Sequence, residues 1–298
     1  MGSTLPTTFK YESVPAFFIQ DDPATDPETY DFRKHNFGLI DRSYDSDSPD
    51  DVKLTQWERF NQYLNHLSAT SPAGVKYKLF YAGRHGQGDH NVAESFYGTK
   101  AWDAYWSKLE GNGTVVWADA HLTDVGEEQA REAAAFLGEQ FAWAKMPMPQ
   151  RYYVSPLYRC LQTARLTYAG LESRPDRPFK PVIREMLREV MGEHTCDRRS
   201  RRSFLETEFP RWEFEEGFTE ADELWLPDHR ETHEEIDGRT RRALDGIFGE
   251  EGDEAVVVVS TTTHSGQIAS LLRVVGHRVF GLPTGGMIPV LVKGTRVG

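Results

Sequence analysis

Leu79-Phe80-Tyr81-Ala82-Gly83-Arg84-His85-Gly86-Gln87 is an apolar run that ends abruptly in an arginine beside a histidine. The run reads as a buried strand, and Gly86 lets the backbone turn close to a ligand at its end. An arginine fork grips phosphate oxygens two at a time, and an adjacent histidine can serve as nucleophile or proton carrier. Strand-Arg-His-Gly therefore suits phosphoryl chemistry, although a lone Arg-His pair is more commonly a purely structural one.

Three further runs repeat the design. Tyr152-Tyr153-Val154, Pro181-Val182-Ile183 and Ala255-Val256-Val257-Val258-Val259 lead into Arg159, Glu189 and His264. From Lys76 onward such runs alternate with helix-period segments, the mark of βα units. The expected fold is a three-layer α/β/α sandwich, a mostly parallel sheet with helices on both faces and a cap insertion. If the four runs are parallel neighbours, their carboxyl ends gather Arg84, His85, Arg159, Glu189 and His264 into one crevice, where open α/β sheets bind ligands.

Helical spacing over Asp124 to Trp143 puts Val125, Ala133, Phe136, Leu137 and Phe141 on one face, with Thr123 or Asp124 as cap. A second helix is expected over Ser265 to Val275, stopped by Gly276. Residues 1–75, with a helix-like piece around Leu54 to Leu67, read as an N-terminal extension. Their aromatic content (Phe17, Phe18, Tyr30, Phe37) implies packing on a body formed by residues 76–298. Between residues 191 and 239 periodicity fades while Trp212, Phe214, Phe218 and Trp225 accumulate, which suggests an inserted cap over the crevice.

The 298 residues carry 34 Lys and Arg against 46 Asp and Glu, a net charge of −12. Polyphosphate backbones are held by broad basic surfaces, so nucleic acid is not the expected partner. The two cysteines, Cys160 and Cys196, form neither a zinc cage nor a disulfide framework, and a reducing compartment is the default. The first residues lack a secretory or myristoylation pattern, and no segment is long and apolar enough for a bilayer. A cytoplasmic protein is expected, with the nucleus as the alternative compartment.

The converging residues form a chemically complete set. Arg84 and Arg159, with His264 as a further donor, would hold a phosphomonoester dianion and the charge on its equatorial oxygens. His85 would attack through a ring nitrogen. Glu189 would protonate the departing alkoxide and then activate water against phosphohistidine, a scheme that calls for no metal or other cofactor. Glu185 and Glu193 compete for the acid role, and the Leu187-Arg188-Glu189 context favours Glu189.

Taken together, Arg84-His85-Gly86-Gln87-Gly88-Asp89-His90-Asn91, the stretch Ser155 to Ala164, Leu187-Arg188-Glu189 and Thr263-His264-Ser265-Gly266 resemble the histidine phosphatase superfamily, in its phosphoglycerate-mutase-like branch. The resemblance implies that His85 is phosphorylated, that Arg84, Arg159 and His264 form the phosphate pocket, and that Glu189 is the proton donor. It adds Asn91 as a substrate contact and Ser265 as a donor after the second histidine. Gln87, a further candidate substrate contact, stands where the family often has glutamate, removing a negative charge beside the pocket. The phytase-like pattern is absent, since Gly88 and His90 occupy its arginine and proline positions.

Arg198-Arg199-Ser200-Arg201-Arg202 is either a solvated basic loop or a source of substrate contacts, with Arg198 and Arg199 reaching a second phosphate or carboxylate. His229 and His233 stand four apart, a spacing that suits zinc on a helix, but the general-base glutamate and a third ligand are missing. The expected activity is metal-independent hydrolysis of a small phosphorylated metabolite or other organic phosphate. The alternatives are a phosphomutase and a non-catalytic phosphate-binding protein; oligomeric state is left open.

Overall fold

The computed structural model describes residues 8–171, 179–250 and 257–297. The start of the Ala255 to Val259 run and the N-terminal stretch tested for targeting signals lie outside them. The strands are β1 (Phe9–Ser13), β2 (Val75–Arg84), β3 (Arg151–Val154), β4 (Val182–Ile183), β5 (Glu213–Phe214), β6 (Val258–Thr263) and β7 (Met287–Arg296). The α-helices are α1 (Gln56–Thr70), α2 (Asp89–Tyr97), α3 (Thr99–Ala104), α4 (Asp124–Glu139), α5 (Tyr158–Tyr168), α6 (Arg202–Glu208), α7 (His233–Gly249) and α8 (Ser265–Val274).

One seven-stranded sheet runs β1-β7-β2-β6-β3-β4-β5. The pairs β2/β6, β6/β3, β3/β4 and β4/β5 are parallel, while β7 is antiparallel to both β1 and β2. Successive strand residues face opposite sides, and β2 makes this visible. Phe80 stacks at 6.3 Å on Phe248 of α7, while Tyr81 meets Trp57 of α1 and Phe37 from the other side. Helices thus cover both faces, and the sheet interior reads as near-continuous apolar sequence because both sides are buried.

Thr123 caps α4 by accepting from the Gly126 N–H at 3.2 Å, and Ala133, Phe136 and Leu137 are buried as the spacing predicts. Val125 departs from that face: it is 54% exposed in the first turn. Gly276, at φ +70°, follows α8 in the left-handed conformation and donates to the Arg273 carbonyl.

The two segments set apart by sequence both enter the sheet. β1 pairs with β7, so Phe9 faces Arg296, and Phe18, Phe37 and Trp57 are fully buried in the main core. In the 191–239 segment β5 extends the opposite edge, and Leu205, Phe209 and Phe218 bury themselves against Tyr158, Leu161 and Ile183. Among the described residues no helix is long and apolar enough to cross a membrane.

Candidate active site

Register alignment levels the carboxyl ends of four parallel strands. Arg84 lies opposite Thr263, Val154 opposite Thr262, and Ile183 opposite Val154. The pairing carries one step further: His85 N–H donates to the Thr263 carbonyl at 3.0 Å and Ser155 N–H to Thr262 at 3.1 Å. His85, Ser155 and His264 therefore leave the sheet at the same level. Gly86 is packed so tightly on the first turn of α4 that any side chain there would collide with the Gly126 backbone.

His85 is 2% exposed. Its Nδ1 lies 2.7 Å from the Gly86 carbonyl, which can only accept, so the ring proton belongs on Nδ1. Nε2 keeps its lone pair and faces Arg159 Nε–H at 3.3 Å. Burial, then the charges of Arg159 and Arg84, push the His85 pKa well below the ordinary imidazole range and keep the ring neutral.

Arg159 stands in the first turn of α5, 1% exposed. Its Nη1 donates to the Cys196 carbonyl at 2.6 Å and its Nη2 to Asp197 Oδ1 at 2.9 Å. Arg84 donates through Nη1 to the Leu282 carbonyl at 2.7 Å, while its Nε is buried without a hydrogen-bond partner among the described residues. His264 is fully buried, with Nε2 2.7 Å from Ser155 Oγ and its ring centroid 5.1 Å from that of His85. Burial, then Arg159 and His85, depress its pKa as well.

Glu189 lies across the N-terminus of α8. Its Oε1 accepts from Val190 N–H at 2.9 Å, and its Oε2 from Gly266 N–H at 3.1 Å and Ser265 Oγ at 3.3 Å. A side chain on Gly266 would collide with Glu189 Oε1, so that approach requires glycine. The loop beneath is fixed by Arg239, which donates to the carbonyls of Met186, Arg188 and Glu189 at 3.0, 2.8 and 2.9 Å. Glu231 holds the other side of that guanidinium at 2.9 and 2.7 Å. The rival carboxylates are engaged elsewhere: Glu185 with Arg199 and Arg188, and Glu193 with Lys108.

The remaining expected contacts fare differently. Asn91 Oδ1 accepts from Gly88 N–H at 3.0 Å and so caps α2. Gln87 accepts from Thr123 Oγ1 at 2.8 Å, tying the loop to the start of α4. Ser265, exposed at the start of α8, contacts Glu189. Arg198 turns outward to Glu110, with two contacts of 2.7 and 2.9 Å.

Arg199 corrects the expectation that it reaches the crevice. It is buried, with Nε 2.5 Å from Glu185, its fork on the carbonyls of Thr219 and Ala221 at 2.9 Å each, and its plane over Phe218. With Nε, Nη1 and Nη2 all paired, this guanidinium fastens the 191–239 segment to Glu185 and has no N–H left for substrate. His229 pairs with Glu235 at 3.1 Å. Among the described residues, His194, Cys196 and Asp197 bring ligand atoms together, but the Asp197 oxygens serve Arg159 and Arg230.

Sequence reasoning missed Asp197, Arg230, Arg239 and His90. Arg239 did leave a signal, since it falls on the apolar stripe of α7 with Ile236, Ala243 and Leu244. Asp197 left none. His90, in the first turn of α2, places its ring 5.4 Å from that of His85.

Residues 80–280 match the model of the histidine phosphatase superfamily (branch 1). The chain belongs to that family. It is 48% identical over 285 residues to a protein named probable phosphoglycerate mutase of Arthroderma benhamiae, covering 95% of this chain and 84% of the relative. Phosphomutase-like protein 3 of Candida albicans is 37% identical over 283 residues, covering 95% and 80%. Among solved structures, the phosphoglycerate mutase of Bacillus anthracis is similar over 73% of this chain and 89% of its own, at 16% identity and a TM-score of 0.46. As a histidine phosphatase superfamily member of the phosphoglycerate-mutase-like kind, the chain is an enzyme of the phosphatase or mutase type.

Proposed function

We propose that this protein hydrolyses a small phosphate monoester through a phosphohistidine on His85. The observation that carries the reading is the state of that ring: neutral, proton on Nδ1, lone pair on Nε2 beside the Arg159 guanidinium. A nucleophile fixed in its reactive tautomer next to a cation is suited to attack a phosphorus whose oxygens that cation neutralises. The buried, unpartnered Nε of Arg84 supports an anion there, since such a donor is otherwise costly to leave unpaired.

In the proposed reaction Nε2 forms the P–N bond as the ester P–O bond breaks. Glu189 gives its proton to the leaving oxygen and then takes one from the water that cleaves the P–N bond, releasing inorganic phosphate and restoring His85. Arg84, Arg159 and His264 hold the three equatorial oxygens throughout, and no step is routed through a metal.

The names of the relatives favour a second reading, in which a substrate hydroxyl takes the phosphoryl group instead of water. One experiment separates the two. Phosphate release and isomer formation are measured over a panel of phosphomonoesters, with chelator present, for wild type and His85→Ala, alongside alkaline-quench trapping of the acid-labile phosphoenzyme. Release by wild type alone, with a trapped phosphohistidine, supports hydrolysis; isomers without release support a mutase. Turnover by His85→Ala, or no phosphoenzyme with any substrate, overturns both.

A further inference from the structure

His90 is the one pocket-side ring to which neither the family resemblance nor the scheme above gives work. It is 8% exposed, occupies the first turn of α2 directly after the His85 loop, and lies 5.4 Å from the His85 ring at a tilt of 50°. Its Nδ1 is buried and, among the described residues, has no hydrogen-bond partner. A buried imidazole kept only for packing normally satisfies its nitrogens, because an unpaired buried polar group opposes folding. The environment offers a reason to keep it, since His85, Arg84 and Arg159 are all close enough to act on its charge.

The ring is also held in place. Gly88 lays its backbone against the imidazole so closely that a side chain at that position would strike Nδ1 and Cε1. The neighbouring Asn91 is occupied in capping α2, which leaves His90 as the side chain of that turn in ring contact with the nucleophile. Burial, then the charges of Arg159, His85 and Arg84, keep the ring neutral. A neutral imidazole contributes a donor without a charge, so it can approach a phosphoryl group already surrounded by two guanidinium ions.

We propose that His90 is a substrate-contacting residue whose imidazole N–H donates a hydrogen bond to an oxygen of the phosphoryl group during its transfer to His85. The pocket would then have five groups on the phosphoryl: Arg84, Arg159, His264, His90 and His85 itself. The inference rests on the phosphohistidine reading, and its test is arranged so that the two can fail separately.

The test compares His90→Phe, which keeps a flat ring without an N–H, with His90→Asn, which restores a donor. Turnover of p-nitrophenyl phosphate, affinity for orthovanadate and thermal unfolding are measured for each. His90→Phe should lose roughly ten- to a hundredfold in kcat/KM and bind orthovanadate about tenfold more weakly, as expected for removal of one uncharged donor to a phosphoryl oxygen. His90→Asn should recover most of both, while unfolding of the Phe variant stays at or above the wild-type temperature.

A packing role predicts the reverse: altered unfolding, with turnover and orthovanadate affinity within about twofold of wild type. That result overturns the proposal. Should His90→Phe fail to fold, imidazole 15N shifts of wild type with and without orthovanadate decide the matter, and an unperturbed His90 signal overturns it. Loss of phosphoenzyme in wild type would instead strike the phosphohistidine reading, which the trapping experiment reads independently.

Discussion

Asp197 and Arg159 meet at 2.9 Å with 3% and 1% of their side chains exposed, and the second oxygen of Asp197 takes Arg230 at 2.7 Å. Burial opposes a charge on Asp197, but Arg230 and Arg159 outweigh it and hold the carboxyl below its ordinary range. One carboxylate thus fixes a phosphate-pocket arginine on α5 and ties it to Arg230, just ahead of α7.

Replacing Asp197 with Asn keeps the shape and removes the charge, leaving two guanidinium groups to repel one another. Breaking a buried pair on one side costs about 3–5 kcal/mol. The expected outcome is a loss of that size in urea unfolding and a fall of roughly a hundredfold in kcat/KM, since Arg159 also faces the nucleophile. Unchanged kcat/KM would show that Arg159 needs no help from Asp197.

Arg239 yields a prediction of another kind. It touches no proposed substrate position, yet it grips three carbonyls of the loop carrying Glu189. Lysine cannot reproduce a planar fork that serves both those carbonyls and Glu231. Arg239→Lys should lower kcat about tenfold or more with KM nearly unchanged, because the acid is misplaced while the phosphate pocket stays whole. Equal changes in kcat and KM would mean the pocket itself had moved.

How these residues escaped or yielded to sequence reading has a physical cause. The strand ends were legible because apolar runs close on Arg84, Arg159 and His264, and parallel register carries those ends to one level. Asp197 was not, because it sits in a segment with no periodicity and its partners lie 38 and 33 residues away. Arg199 was misjudged for a related reason: a basic run does not reveal which member is buried, and Glu185 and Phe218 decide that only in three dimensions. β1 was hidden because its partner is the last strand of the chain.

Stability should depend on pH through the three clustered rings. His85, His90 and His264 all have pKa values held well below the ordinary imidazole value by burial, with the nearby arginines adding to it. Unfolding returns each to about 6.5. Below pH 6.5 the unfolded chain binds more protons than the folded one, so stability falls as pH drops from 6.5 toward the folded values. Each ring contributes up to about 1.4 kcal/mol per pH unit.

Asp197, with a depressed pKa, acts only below about pH 4. Asp119 and Glu215, raised first of all by burial, oppose the histidines by stabilising the fold as pH falls. A difference measurement removes those common contributions. Between pH 6.5 and 5 the unfolding free energy of His90→Phe should fall with pH less steeply than that of wild type, by up to about 1.4 kcal/mol per unit toward pH 5. Parallel curves would mean that His90 is already charged in the folded protein.

Glu189 gives the sharpest separation of roles, because its two proposed tasks depend differently on the leaving group. An alkoxide needs a proton to depart, whereas p-nitrophenolate leaves unaided, so Glu189→Gln should slow alkyl phosphates by roughly 10²–10⁴ in the phosphorylation step. Phosphorylation of His85 by p-nitrophenyl phosphate should change little. Hydrolysis of phosphohistidine is common to every substrate and loses its base in the variant. Stopped-flow mixing of Glu189→Gln with p-nitrophenyl phosphate should therefore show a burst of nitrophenol close to one per active site, then slow turnover. Gln keeps one acceptor oxygen, enough for the Val190 or the Gly266 N–H but not both, while Arg239 still holds the loop through its carbonyls. Full activity on both ester classes would remove Glu189 from the reaction.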